Sequence, residues 1–225
     1  MNEEVSTAIK RLDSILPLMP GLKALSSEDA SLYCKLLNSY VQQGRTLTCG
    51  EAEALVDNAQ QVLKNIAANK LIVLDTDGDP VGAYPFTSEE REHRVHVNGV
   101  TVHCMCALDA LAVSPMFHRP TVIESKCRVS GAHVRLEQNG SGFNDGTLGA
   151  WFGIDWGAAA SDTVCAESLC TEMIFLTNET VAREWLAASP DAREIFDLPS
   201  AVAFAAGFFV PLAESCTGAD SNAAS

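Results

Sequence analysis

Hydrophobic positions in the N-terminal third of the chain recur at helical spacing. Pro17 and Pro20 end the first predicted helix, and a second begins near Ser27 and ends at Gly44. Thr48 and Glu51 have the spacing of a capping box, which predicts a short third helix. The hydrophobic positions that define one face of the first helix are Val5, Ile9, Leu12 and Ile15. A fourth helix is predicted around Val62, Leu63 and Ile66.

From residue 71 onward the pattern becomes that of β-strands. Short apolar runs at 71–74 and 81–86 flank a turn, and Asn98-Gly99 joins His93–Val97 to Val100–Cys104 as a predicted hairpin. In a two-residue hairpin Val97 would face Val100 and Val95 would face Val102, which places the valines on one sheet face. Further strands are predicted at 121–127, 133–137, 150–156 and 171–176, and helices at 107–115, 179–188 and 201–212.

This order of elements predicts an α+β protein. Residues 1–87 form a small helical, winged-helix-like N-terminal domain, and residues 88–215 form a mixed or antiparallel sheet domain flanked by helices. Residues 216–225 are small and polar and predict a disordered tail. A winged helix would suggest DNA binding, but residues 21–70 hold five basic and five acidic side chains. That balance offers no phosphate-neutralising face, so a structural or lid-forming role is preferred.

The overall charge narrows the possible partners. A net charge of −14 and a pI near 4.6 argue against nucleic acid and anionic membranes as partners. The N-terminus lacks an apolar signal segment, and the apolar run at 201–213 is too short for a membrane span. A cytoplasmic location is therefore expected, where thiols stay reduced. The eight cysteines are accordingly not expected to form disulfides.

Two residues at one predicted strand-to-helix junction are candidates for chemistry. Cys106 lies where a thiol is expected to have a lowered pKa, near a helix N-terminus, and Asp109 follows one turn later on the same face. Such a pair could exchange a proton, although a first-turn acid is also common for structural reasons. Cys104 alternates with the valines and is predicted to be buried. Spacing alone leaves three later cysteines open as partners for Cys106: Cys127, Cys165 and Cys170.

The segment Cys106-Ala107-Leu108-Asp109 resembles the signature of the organomercurial (alkylmercury) lyase family, in which these two positions hold a catalytic Cys and Asp. Ser168-Leu169-Cys170 resembles the family's second catalytic segment, and this match selects Cys170 over Cys165. The resemblance covers roughly residues 70–213 and implies that the 88–215 domain is the catalytic one. Other matching segments are Asp77-Gly78, Gly82-Ala83-Tyr84, Ser125-Lys126-Cys127 and Glu184-Trp185. Two positions depart from the family: Met105 stands where Trp is common, and Thr171 stands where a further Cys is frequent.

The resemblance implies an enzyme that cleaves carbon–mercury bonds by protonolysis. Cys106 and Cys170 would bind the mercury of an organomercurial substrate, and Asp109 would carry the proton to the leaving carbon. Burial is expected to raise the pKa of Asp109 for that task. No cofactor is implied, and Hg(II) is expected to pass to thiol carriers or a mercuric reductase. The alternative is a non-catalytic protein that holds Hg(II) or Cu(I) on the same thiols.

Overall fold

A computed structural model describes residues 2–144, 149–160 and 163–222 of the chain. The helices are α1 (Glu3–Ile15), α2 (Leu18–Ala24), α3 (Ser27–Gln43), α4 (Cys49–Glu53), α5 (Ala59–Ala68), α6 (Ala107–Phe117), α7 (Glu179–Ala187) and α8 (Leu198–Asn222). The strands are β1 (Ile72–Leu74), β2 (Pro80–Ala83), β3 (Phe86–Thr87), β4 (His93–Val97), β5 (Val100–Cys104), β6 (Thr121–Lys126), β7 (His133–Asn139), β8 (Gly142–Phe143), β9 (Trp151–Asp155), β10 (Met173–Leu176) and β11 (Arg193–Asp197). Short 3-10 turns span Trp156–Ala158, Cys165–Glu167 and Leu169–Glu172.

The N-terminal helices begin and end largely where capping residues predict. The Thr48 side chain accepts a hydrogen bond from Glu51 N, and the Glu51 carboxylate accepts one from Thr48 N, which confirms the capping box. Gly44 ends α3 with a φ of +76°, a conformation that glycine adopts without strain. Helix α2 was not predicted, because Pro20 was taken as a stop. Pro20 instead lies in the first turn of α2, where backbone N–H groups have no helical partner to lose.

Two antiparallel sheets form the rest of the molecule. The larger sheet has eight strands in the order β1-β2-β3-β5-β4-β6-β7-β8, and the smaller has the order β10-β9-β11. The predicted hairpin is confirmed in its register, with Val97 opposite Val100 and Val95 opposite Val102. Because β3 pairs with β5, the predicted domain boundary at residue 87 falls inside one continuous sheet. The helical N-terminal part therefore shares that sheet with the part that follows.

Helix α6 is the buried centre of the fold. Every residue from Ala107 to Met116 is buried, and the helix packs against α8, β4 and β10. The sequence predicted an end near Pro115, but α6 continues to Phe117. Proline removes the backbone donor that would bond to the carbonyl of Leu111. The buried side chain of Gln138 replaces that donor, with its Nε2 lying 2.9 Å from Leu111 O.

Helix α8 packs against α6 and is buried along one half of its apolar part. Its Leu198–Cys216 part is long and apolar enough to cross a membrane by length and composition, yet half of this part is buried inside the protein. Phe204, Phe209 and Leu212 are at most 1% exposed. Residues that pack in a protein core are mostly apolar, so the burial of these side chains accounts for the apolar composition of α8 without a membrane.

The C-terminal end of α8 corrects one prediction. Cys216 is joined to Cys34 of α3 by a disulfide, so the expectation that the cysteines form no disulfide is wrong for this pair. The reason is that α8 is longer than its apolar stretch and brings Cys216 back against α3. The predicted tail at 216–225 overlaps this helix, which is continuous to Asn222. The last three positions of that tail, 223–225, lie outside the described residues.

The role of Gln138 can be tested by substitution. We expect Gln138→Ala to lower the free energy of unfolding by about 1–3 kcal/mol, because the carbonyl freed by Pro115 then stays buried without a donor. Urea denaturation of the variant and the parent protein measures this difference. Gln61→Ala on the exposed face of α5 is the matched control and should change stability by less than about 0.5 kcal/mol. Equal effects of the two substitutions would contradict the assignment.

Candidate active site

Cys106 lies at the junction between β5 and α6. It is the N-cap residue of α6, with φ −153° and ψ 177°, and its Sγ accepts a hydrogen bond from Asp109 N at 3.4 Å. A sulfur thus takes the position that Ser or Asp oxygen usually takes at a helix start. The same Sγ lies 3.5 Å from Met173 Sδ at the start of β10, which brings the second sheet to the site.

Asp109 lies in the first turn of α6 on the same face as Cys106, as the spacing predicted. It is 1% exposed, and its Oδ2 has no hydrogen-bond partner among the residues that the structure describes. Burial raises the pKa of this carboxyl group from 3.8 to about 7, although hydrogen bonds with Cys106 and the charge of Arg91 oppose the rise. The predicted direction is therefore confirmed. Near neutral pH Asp109 can both accept and donate a proton.

Cys170 reaches the site from the 3-10 turn Leu169–Glu172. Three contacts fix this segment to the larger sheet: Arg91 Nη1 donates to Ala166 O at 2.9 Å, Ala166 N donates to Tyr84 Oη at 3.1 Å, and Arg128 donates to Thr171 O. Arg91, Tyr84 and Arg128 are distant in sequence from Cys170. Cys170 is therefore held in place by these contacts and not by a regular helix or strand.

The three predicted site residues converge in space. The Sγ atoms of Cys106 and Cys170 and a carboxylate oxygen of Asp109 all lie within 4.8 Å of one another, and all three residues are buried. Two sulfurs and one carboxylate within this distance form a site for a soft metal, because thiolates prefer soft cations. An apolar surrounding also keeps water from the carboxyl group.

The predicted low pKa of Cys106 is wrong. Burial raises the pKa of this thiol to about 12, against the lowering effect of its hydrogen bond with Cys170. The dipole of α6 cannot offset the loss of water around a completely buried sulfur. Hydrogen bonds to Cys106 and Cys165, together with burial, likewise raise the pKa of Cys170 well above its ordinary value. Both sulfurs are therefore thiols at neutral pH in the free protein.

A third thiol lies next to the site. Cys165 Sγ is 3.5 Å from Cys170 Sγ and comes from the preceding 3-10 turn. Sequence spacing left Cys165 as an alternative to Cys170, whereas the structure places both sulfurs side by side. The C-x(4)-C spacing does not predict this contact, because irregular turns and not a helix bring the two side chains together.

Two further residues shape the surroundings. Tyr84 is 2% exposed, and this burial raises the pKa of its phenol. The charges of the neighbouring Cys170, Cys165 and Asp109 raise that pKa further. Met105 is also buried, and a Cβ built on Gly82 would lie 2.6 Å from Met105 Cε. The tip of Met105 thus occupies space that the missing side chain of Gly82 leaves free. A larger Trp at this position would need that space rearranged.

The remaining free cysteines are Cys104, Cys127 and Cys49, and they are not members of the trio. Cys104 is fully buried in β5, as its alternation with the valines predicted. Cys127 accepts a hydrogen bond from Ser130 N at 3.4 Å and stabilises the turn after β6. Cys49 is partly exposed at the start of α4, where its backbone N donates to Asp79. We assign structural roles to Cys104 and Cys127.

One hydrogen-bonded chain was not anticipated from the scattered histidines. Ser125 Oγ lies 2.8 Å from His93 Nδ1, and His93 Nε2 lies 3.3 Å from Glu92 Oε1. The order Ser, His and carboxylate resembles a hydrolase triad. Ser125 lies on β6 and His93 on the neighbouring strand β4, so this chain joins the two strands.

The fold and the site together define a class of protein: an α+β protein with a buried dithiol and a carboxyl group suited to a soft metal. A sequence model of the MerB alkylmercury lyase family matches residues 86–210, more than half of the chain. The chain therefore belongs to the alkylmercury lyase family. Residues 86–210 include Cys106, Asp109 and Cys170.

A solved structure supports the same fold. The crystal structure of the mercury-bound form of MerB2 superposes with a TM-score of 0.69 at 19% sequence identity, covering 87% of this chain and 96% of that chain. At this identity the similarity shows the fold alone. No curated protein sequence matches the chain.

The raised pKa of Asp109 predicts a pH dependence of stability. A proton binds more tightly to this carboxyl group in the folded state, so its contribution is complete below about pH 4 and is lost as the pH rises to about 7. Relative to Asp109→Asn, the parent protein should lose up to about 4 kcal/mol over this interval, at about 1.4 kcal/mol per pH unit. Urea denaturation of both proteins at several pH values measures the difference. A pH-independent difference would contradict the burial argument.

Proposed function

We propose that this protein is an organomercurial lyase that cleaves carbon–mercury bonds by protonolysis. The observation that carries the proposal is the grouping of two buried thiols and one buried carboxyl group with a pKa of about 7. The thiols supply soft ligands for mercury, and the carboxyl group supplies a transferable proton. Membership of the alkylmercury lyase family supports the same reaction.

The first step is capture of the substrate by a thiol. An organomercurial R–Hg–X reacts with one of the two thiols to give R–Hg–S–Cys, and the thiol proton leaves with X. A high thiol pKa does not prevent this exchange, because the bond to mercury replaces the bond to the proton. Exclusion of water then leaves the second thiol and Asp109 as the polar groups nearest to the bound mercury.

The second step brings the other sulfur to mercury. Asp109 in its carboxylate form accepts the proton of the second thiol, and the resulting thiolate binds the metal. The hydrogen bond from Asp109 N to Cys106 Sγ keeps the Asp109 carboxyl group next to the Cys106 sulfur. Two thiolates then donate electron density to mercury and weaken its bond to carbon.

The third step is protonolysis. The protonated Asp109 delivers its proton to the carbon atom, and the electron pair of the mercury–carbon bond forms the new C–H bond. The products are R–H and Hg(II) bound by Cys106 and Cys170, and Asp109 returns to its carboxylate form. We propose that no resident cofactor takes part, since the thiols and carboxyl group account for every proton and electron pair.

The surroundings of the reaction belong to the same proposal. We place the protein in the cytoplasm, where Cys106 and Cys170 stay reduced, and name thiol carriers or a mercuric reductase as the acceptors of Hg(II). Neither nucleic acid nor a membrane is a proposed partner. The helical N-terminal part, winged-helix-like by prediction, acts as a cover, since Leu16 and Lys70 line a cavity next to Tyr84 and Cys165.

The alternative of a non-catalytic mercury or copper binder rests on the same two thiols. A storage site needs the sulfurs alone. Asp109 distinguishes the two functions, because an acid buried without a partner for Oδ2 destabilises the fold and is of use only where a proton moves.

Replacement of either thiol should abolish the reaction. Incubating the protein with phenylmercury and excess small thiol, followed by headspace detection of benzene, measures turnover. We expect Cys106→Ser and Cys170→Ser to reduce benzene formation by more than about a hundredfold, because one sulfur cannot activate the bond alone. Cys49→Ser removes a partly exposed thiol outside the site and should retain activity. Full turnover by either site variant would exclude the two-thiol mechanism.

Replacement of the proton carrier should separate binding from cleavage. Asp109→Asn keeps the shape of the side chain but cannot donate a carboxylic proton. We expect the variant to bind stoichiometric mercury while benzene formation falls by about a hundredfold or more. Mercury content after gel filtration and headspace benzene measured on the same sample test both parts. Unchanged turnover would assign the proton transfer to another group, and equal turnover in all variants would favour a mercury binder with background chemistry.

A further inference from the structure

Cys165 gives the site a second pair of adjacent sulfurs. Its Sγ lies 3.5 Å from Cys170 Sγ, so Cys170 is shared between a Cys106–Cys170 pair and a Cys165–Cys170 pair. The proposed reaction uses only the first pair. The second pair has the same soft-ligand chemistry, and it lies on a segment held by Arg91 and Tyr84.

The second pair lies toward a cavity. A cavity of about 560 Å³ is lined by the side chains of Ile15, Leu16, Ile72, Tyr84, Val164 and Cys165, among others. Cys165 is thus in the cavity wall and is 8% exposed, whereas Cys106 and Cys170 are 1% and 3% exposed. The exposure of these residues therefore increases from the catalytic pair toward the cavity.

We propose that Cys165 and Cys170 form a second mercury site, which receives product Hg(II) from the Cys106–Cys170 pair and presents it at the cavity. This inference rests on the proposed function for the origin of Hg(II). In the transfer, the bond from mercury to Cys106 Sγ breaks and a bond to Cys165 Sγ forms, while Cys170 stays bound. The proton of the Cys165 thiol passes to Cys106, so the step involves no oxidant or reductant. Cys106 thereby regains its proton, while Asp109 already has the carboxylate form that the next substrate requires.

Transfer of mercury from Cys106 to Cys165 makes its release to an external thiol faster. A metal held by two completely buried sulfurs is out of reach of an external thiol, so its direct release would need the site to open. Thiol exchange proceeds through attack by a new sulfur while the old ligands remain, and Cys165 is the neighbouring sulfur that lies in the cavity wall. An external dithiol can then attack mercury from the cavity.

The first test asks whether the second pair holds mercury without Cys106. We load Cys106→Ser, which retains Cys165 and Cys170, with inorganic HgCl2, challenge it with glutathione, and measure protein-bound mercury after gel filtration. Cys106→Ser should retain Hg(II), and the double variant Cys106→Ser/Cys165→Ser should retain it at least about tenfold more weakly. Cys106→Ser/Cys49→Ser is the matched control and should behave like Cys106→Ser. Equal retention with and without Cys165, or no retention by Cys106→Ser, would overturn the proposal.

The second test measures transfer out of the otherwise intact site. Full-length parent protein, Cys165→Ser and Cys165→Ala are loaded with HgCl2 and mixed with a small dithiol, and the loss of the ultraviolet mercury–thiolate absorption is followed. Both Cys165 variants should transfer mercury about tenfold more slowly than the parent, provided that circular dichroism shows an unchanged fold. Transfer at the parent rate would refute a relay through Cys165. Both tests use inorganic mercury, so absence of benzene from phenylmercury would refute the lyase function and leave the second site standing.

Discussion

Removal of water from one end of helix α6 is the constraint on which the site depends. Asp109 and Cys106 occupy the first turn of a helix that is buried along nearly its whole length. A carboxyl group in that position resists ionisation, and the pKa of Asp109 rises to about 7. The same burial raises the pKa of the Cys106 thiol, and hydrogen bonds to Cys106 and Cys165 together with burial raise that of Cys170. Burial therefore contributes to the protonation state of every reacting group.

The architecture follows from the need to bury that helix. Helix α6 packs against the larger sheet, against β10 of the smaller sheet and against α8. An apolar helix enclosed in this way can tolerate a proline only if another residue supplies the lost hydrogen bond, and Gln138 does so for the carbonyl of Leu111. The stability of the core and the low polarity of the site therefore have the same origin, and a change that admits water to α6 would alter both.

The sequence predicts local features well because short-range rules govern them. The Asn98-Gly99 hairpin, the Thr48 cap and the one-turn spacing of Cys106 and Asp109 each depend on residues within a few positions. Features that depend on distant contacts could not be read in the same way. Examples are the position of Cys165 beside Cys170, which requires a turn fixed by residues far along the chain, and the continuation of α6 past its proline. The low thiol pKa expected at a helix start failed because local position cannot report the depth of burial.

High thiol pKa values are compatible with mercury chemistry, because they protect the free site and do not oppose the reaction. A buried thiolate pair would attract any passing soft metal and would repel the carboxylate of Asp109. Neutral thiols avoid that repulsion and release their protons only when mercury takes their place. Asp109 has a pKa matched to receiving such a proton, and its Oδ2 has no other partner within the described residues. The proton that leaves sulfur can thus become the proton that ends on carbon, without water taking part.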